Sequence, residues 1–176
     1  MKAAIIILAI NILFVSSQVN FLQEPKLELT FSPTDGADLL QGFLSGLLEV
    51  EVCKITDTTL IDEVTAIYET VRTIKQVFDV PRVLISLVPK VIELAGNAKN
   101  FIGTCSGDAT KMKVDLDILI AKLKDPQIVS KVINHASMNM MDIVGQTMDL
   151  ISGFKTRSFN ESGRKLGKLI RFTLSW

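Results

Sequence analysis

The sequence has few of the residues from which catalytic and metal sites are usually built. It contains one histidine, His135, and two cysteines, Cys53 and Cys105. A lone histidine in a helical pattern favours a structural or surface role over a catalytic one, because a general base needs partners that a sequence alone does not show. No serine lies in a GxSxG motif. The two cysteines match neither redox nor zinc spacing. We therefore expect no catalytic residues, no metal and no cofactor, with an enzyme of unfamiliar site as the less favoured alternative.

An excess of charge of one sign is also missing. The chain has 19 basic and 19 acidic side chains and a formal net charge of zero. Nucleic-acid binding needs a concentrated basic surface, so we expect no nucleic-acid partner. After the N-terminus, no apolar run reaches the length of a membrane span without a charge, so we expect no transmembrane span in the mature chain.

The N-terminus has the pattern of a secretory signal peptide. Lys2 precedes an apolar run from Ala3 to Val15, which only Asn11 interrupts, and small residues follow at Ser16 and Ser17. That run covers about 20 Å as a helix, which is short of the ~30 Å apolar thickness of a bilayer. We predict a signal peptide over residues 1–17 and a secreted or endomembrane-lumen protein, the alternative being an uncleaved anchor.

The two cysteines are expected to pair in such an oxidising compartment. With only Cys53 and Cys105 present, a single intramolecular pairing is possible. It would stabilise the fold by roughly 4 kcal/mol in the chain-entropy model. The alternatives are an intermolecular bridge and a pair of reactive thiols.

Helical periodicity dominates the remainder of the chain. We read residues 18–34 as an N-terminal arm and residues 35–176 as a single all-α domain, a bundle of five to six helices with one disulfide. The expected N-caps are Thr34 or Asp35 for the first helix, Thr56 or Asp57 for the second, Asp108 for the fourth and Asp125 for the fifth. Pro89 is expected to kink or break the third helix. The helices are expected near residues 35–53, 57–78, 81–101, 108–123, 126–154 and 160–174.

Two apolar features suggest how the domain could bind a partner. Gly42 and Gly46 form a small-xxx-small pattern, which allows close packing of helices within one chain or, in a membrane, dimerisation. Several methionines could line an adaptable pocket, although core filling explains them too. The residues predicted to line an apolar pocket are Phe43, Leu47, Met141 and Met148.

The last predicted helix is amphipathic and basic. Arg164, Lys168 and Arg171 share one side, with Lys165 at its edge. Such a helix could contact an anionic membrane surface, or it could present a solvated outer face to water. Asn160 begins an Asn-Glu-Ser glycosylation sequon, which has meaning only in a secreted chain.

Four features follow one another along the chain: the signal peptide, the segment QGFLSGL, the two cysteines and the C-terminal segment FNESGRKLGKLIRFTL. With these features the chain resembles a set of uncharacterised small secreted helical proteins of ciliated protozoa. The positions that match the glycine motifs of that set are Gly42, Phe43, Gly46, Gly163 and Gly167. The resemblance covers most of the mature chain and implies no activity.

These observations favour a secreted, non-enzymatic helical protein that binds a protein partner or an apolar ligand. The alternative is a peripheral membrane-surface protein that uses its basic C-terminal helix.

Overall fold

The computed structural model describes residues 32–102 and 109–174, and these residues form α-helices joined by short connections. This part of the chain contains no β-strand, which confirms the all-α class. It also contains one short 3₁₀ helix at Val77–Asp79. Four features of the sequence analysis lie outside the described residues: the predicted signal peptide, most of the arm (residues 18–31), Cys105 and the predicted cap Asp108. The helices are α1 (Pro33–Leu48), α2 (Thr58–Val71), α3 (Val80–Ile102), α4 (Ala109–Leu123), α5 (Ile128–Met138), α6 (Met140–Lys155) and α7 (Phe159–Leu174).

Helix α1 begins earlier and ends earlier than expected. Ser32, not Thr34 or Asp35, is the N-cap; its Oγ accepts from the Asp35 amide at 3.2 Å, and the Asp35 carboxylate accepts from the Ser32 amide at 3.1 Å. This is a capping box, with Pro33 at the first helical position. The helix ends at Leu48 and not at Cys53, because Glu49 adopts a left-handed conformation with φ 56°.

The chain after Glu49 is held against α1 by two side chains of that helix. The buried Ser45 Oγ accepts from the Val52 amide at 3.0 Å, and Gln41 donates to the Val52 carbonyl at 2.9 Å. Lys54 forms an ion pair with Asp38 of α1 at 2.5 Å. These bonds satisfy backbone groups that a continued helix would otherwise have paired.

Helix α2 starts as predicted and stops short of the predicted end. Asp57 caps it, with its carboxylate accepting from the Leu60 amide at 3.0 Å. The helix ends at Val71, so the apolar stripe does not continue to Phe78, whose side chain is 79% exposed. The Asp79 carboxylate accepts from the amides of Lys75 and Gln76 at 3.1 and 3.3 Å, which stabilises a turn at this point.

The single long fifth helix needs correction, and of the two outcomes predicted at Pro89, a kink or a break, the break does not occur. Helix α3 continues through Pro89 without a break. The exposed proline removes one backbone donor, and the buried apolar face of α3 offsets that loss.

The predicted fifth helix is instead two helices, α5 and α6, separated at Asn139. The Asn139 side chain donates to the His135 carbonyl at 2.9 Å, and such side-chain bonds compete with helical backbone bonding. The Asp125 carboxylate accepts from the Gln127 amide at 2.8 Å, as expected for a cap, although α5 itself begins at Ile128.

An aromatic cluster joins three helices in the core. Tyr68 of α2 stacks on Phe154 of α6 with ring centroids 3.6 Å apart, and Phe159 of α7 meets Phe154 edge-on at 5.9 Å. Phe154 is fully buried. The cluster therefore ties α2, α6 and α7 together.

A partly buried carboxyl group connects α2 to α3. Asn97 of α3 donates to one oxygen of Glu63 at 2.5 Å, and the other oxygen of Glu63 is buried without a hydrogen bond in the described part of the chain. Burial raises the pKa of Glu63, the hydrogen bond from Asn97 opposes this, and the nearby charges of Glu93 and Asp57 raise the pKa further.

We expect Glu63→Gln to stabilise the protein at neutral pH. A raised pKa in the folded state means that the ionised carboxylate costs stability once the pH exceeds this pKa, and glutamine removes that charge while keeping an acceptor for Asn97. The advantage should shrink as the pH falls and Glu63 becomes protonated. Urea unfolding of both proteins between pH 4 and pH 7 measures this difference in stability. The control is Asp149→Asn, which makes the same change in charge at an exposed side chain. An advantage for Glu63→Gln that grows on acidification would contradict this assignment.

Candidate functional site: a groove at the end of two parallel helices

Helices α1 and α7 pack backbone against backbone through two glycine pairs. A Cβ atom on Gly42 would overlap the carbonyl oxygen of Asn160, and one on Gly46 would overlap that of Arg164. The same holds for Gly163 against the Leu39 carbonyl, while a Cβ on Gly167 would overlap the carbonyl oxygen of Phe43. The small-xxx-small pattern of α1 therefore accommodates packing within the chain, and it meets a second such pattern on α7.

The two helices run in the same direction. Moving from Gly163 to Gly167 along α7 moves the contact from Leu39 to Phe43 along α1. One turn further, Arg171 donates to the Leu47 carbonyl at 3.1 Å. The parallel arrangement places the C-terminal ends of α1 and α7 side by side.

A groove of about 440 Å³ opens at this shared end, and one side of α4 completes it. Its most buried apolar members are Leu47, Leu48 and Leu174, while Ile118 of α4 is 52% exposed. Such a site offers an apolar surface to a ligand without a change in the fold. The lining residues are Leu47, Leu48, Glu49, Val50, Lys111, Asp115, Ile118, Leu119, Lys122, Arg171 and Leu174.

Charged side chains surround the apolar part of the groove. Arg171 forms an ion pair with Glu49 at 2.9 Å, so these two charges offset each other. Lys111 and Lys122 are exposed and form no ion pair with any described residue, and Asp115 lies between them on α4. Two lysines are therefore available to a ligand at the ends of the α4 side of the groove.

A second depression, of about 380 Å³, lies between the start of α1 and α2. Its lining is rich in threonine, with Thr34, Thr56, Thr58 and Thr65 among the residues, and Lys54 there is paired with Asp38. Lys54 is the one cation among the described residues of this lining and its charge is already offset, so we base no site on this depression.

The four residues predicted to line an apolar pocket are not arranged as expected. Phe43 is fully buried beside the glycine contact, and Leu47 lines the groove. Met148 is half-buried, whereas Met141 is 77% exposed in the first turn of α6 and cannot line an enclosed cavity. The helix is interrupted at Asn139, so Met141 belongs to a new helix, α6. The spacing expected of one long helix therefore does not place Met141 on an inner face.

The basic side of α7 is largely neutralised by acidic residues that follow α1. Arg164 donates to both carboxylate oxygens of Glu51, at 2.7 and 2.8 Å, and Arg171 pairs with Glu49. Lys165 pairs with Glu161 within α7 at 3.3 Å, and Lys168 is exposed. Periodicity located the basic face but could not show that residues distant in sequence lie against it.

The remaining predicted positions lie away from the groove lining. Asn160 is half-buried in the first turn of α7, and Ser162 of its sequon is fully buried. Cys53 is half-buried in the connection between α1 and α2, and its predicted partner Cys105 lies outside the described residues. His135 is half-buried on α5, with its ring 5.2 Å from that of Phe172.

Within residues 32–102 and 109–174, no group of three or more His, Cys, Asp and Glu side chains could hold a metal ion. None of the helices described is both long enough and apolar enough to span a bilayer. No protein-family profile, curated protein or solved structure matches the chain.

Proposed function

We propose that the protein is a secreted, non-enzymatic binding module that holds an apolar ligand in the groove between α1, α4 and α7. The observation that supports this most is the groove itself. Its volume of about 440 Å³ lies within the range of small-molecule sites, and leucines from the ends of two helices form its most buried part. Of the four residues predicted to line an enclosed pocket, only Leu47 lines the groove. We therefore place the ligand in this open groove and not in the enclosed pocket expected from the sequence.

Secretion and the disulfide belong to the same proposal. The N-terminal pattern supports entry into the secretory pathway, where Cys53 and Cys105 would pair. Cys53 belongs to a connection whose neighbours Val52 and Lys54 are bonded to α1, so a bridge would start from an anchored segment. Non-reducing mass spectrometry of the secreted protein should find one bridged peptide pair containing both cysteines. Two free thiols would contradict the pairing.

Native mass spectrometry tests the binding function. Protein secreted by its own host should carry a small apolar molecule that is lost on denaturation. Ile118→Glu should weaken this co-purification because it replaces an apolar side chain of the lining with a hydrated carboxylate. The matched control is Val114→Glu, one turn earlier on α4: the two wild-type side chains are 52% and 50% exposed, but only Ile118 lines the groove.

A protein partner is the second candidate, because several large apolar side chains are exposed away from the groove. On α5, Val129 and Ile133 are four residues apart and both exposed, and Met138 and Met141 follow at the junction with α6. Finding no bound small molecule, with Ile118→Glu and Val114→Glu indistinguishable, would reject the ligand-binding function and leave this second candidate.

A further inference from the structure

The two lysines at the edge of the groove bear on the chemical class of its ligand. Lys111 is in the first turn and Lys122 in the last turn of α4, a helix of 15 residues. At the helical rise per residue, they are separated by about 16 Å. The groove between them is therefore elongated along α4, and Ile118 and Leu119 lie in the interval.

The charges of the groove are not balanced once the ion pair is considered. Arg171 and Glu49 compensate each other, which leaves Lys111 and Lys122 against Asp115. A purely apolar ligand would leave both lysines without a partner, whereas an anion near either lysine would gain a charge-assisted hydrogen bond. Lysine stems also cover apolar surface while their ammonium groups stay at the edge.

From this complementarity we infer that the ligand is a free single-chain amphiphile with an anionic head group, of the fatty carboxylate class. Its alkyl chain lies along α4 over the leucines of the groove, and its carboxylate is held by Lys111 or Lys122. The inference rests on the proposed function and adds the chemical class of the ligand.

The test compares two probes that differ only in the head group, laurate and dodecanol. Isothermal titration of the mature, delipidated protein should show laurate binding roughly tenfold more tightly than dodecanol, the effect of one charge-assisted hydrogen bond. Added salt should weaken laurate binding and leave dodecanol binding unchanged.

Paired variants identify the groups that hold the carboxylate. Lys111→Gln/Lys122→Gln should bind the two probes with equal affinity, because neither glutamine offers a positive charge to the carboxylate of laurate. The control Lys113→Gln/Lys124→Gln makes the same change in net charge at positions that do not line the groove, and it should behave as wild type. Circular dichroism of both variants checks that they fold.

The outcomes separate this inference from the proposed function. If wild type binds laurate and dodecanol equally, the anionic class is wrong and apolar binding stands. If Lys111→Gln/Lys122→Gln keeps the preference for laurate, these lysines do not hold the carboxylate and the inference is overturned, while apolar binding again stands. If neither probe binds, both proposals fail. Wild-type protein should stay in solution with phosphatidylglycerol vesicles, and lysine-dependent sedimentation with them would overturn the inference in favour of a membrane surface.

Discussion

Replacing Gly46 with alanine should lower the free energy of unfolding by about 3 kcal/mol, at the upper end of the usual cost of overpacking. The added methyl group would overlap the Arg164 carbonyl oxygen, which belongs to a helix backbone and cannot move aside as a side chain can. Relief requires α1 and α7 to separate, and their separation loosens the contacts of Phe43 and Leu47 as well. Urea unfolding monitored by circular dichroism measures the change.

Two other glycines provide the control for this substitution. Gly96 in α3 and Gly145 in α6 are also within helices, but a Cβ at either position meets no atom within 4 Å. Alanine there should raise stability by about 0.5–1 kcal/mol because it favours the helix and restricts the unfolded chain. A cost below about 0.5 kcal/mol for Gly46→Ala would show that the helices do not touch at this point.

The double variant Gly46→Ala/Gly167→Ala adds a test of mechanism. Both glycines lie in the same α1–α7 contact, since a Cβ on Gly167 would come close to the Gly46 backbone as well. A helix separation forced by the first alanine should make room for the second. We therefore expect the combined cost to be smaller than the sum of the single costs.

Truncating Phe154 should destabilise the protein by about 3–5 kcal/mol, the usual cost of Phe→Ala in a core. The side chain is fully buried and contacts the rings of Tyr68 and Phe159, so its removal leaves a cavity where three helices meet. Thermal unfolding of Phe154→Ala measures the loss.

Phe78→Ala is the matched control, because the same atoms are removed from a side chain that is 79% exposed. Its effect should stay within about 0.5 kcal/mol. Similar costs for the two substitutions would mean that Phe154 does not occupy the core or that Phe78 is covered in solution.

The sequence predicted those features that depend on local repetition. Helical segments were recognisable because apolar residues recur at helical spacing, and the Asp57 cap because its side chain bonds within one turn. The glycine spacing of α1 indicated close approach, and the resemblance pointed to the glycines of α7. Neither could show that these two sets of glycines pack against each other in parallel.

Other features depend on single residues or on contacts distant in sequence. Glu49 takes a left-handed conformation although it is not glycine, so nothing in its type marks the end of α1. Asn139 divides a continuous apolar pattern by one side-chain bond, and this places Met141 in solvent.

The groove itself was not predictable from periodicity. It needs the ends of α1 and α7 and one side of α4 together, and no local pattern encodes that arrangement. The ion pairs of Glu49 and Glu51 with Arg171 and Arg164 are of the same kind.

The parallel contact of α1 and α7 is the basis of both the groove and its proposed ligand, and nuclear Overhauser spectroscopy tests it most directly. In a parallel pair, the α-protons of Gly163 should give cross-peaks to Leu39 and Phe43, and those of Gly167 to Phe43 and Leu47. Cross-peaks from Gly163 to Leu47 and from Gly167 to Leu39 would instead show an antiparallel pair. In an antiparallel pair the C-terminal ends of α1 and α7 would lie far apart, and the groove could not form.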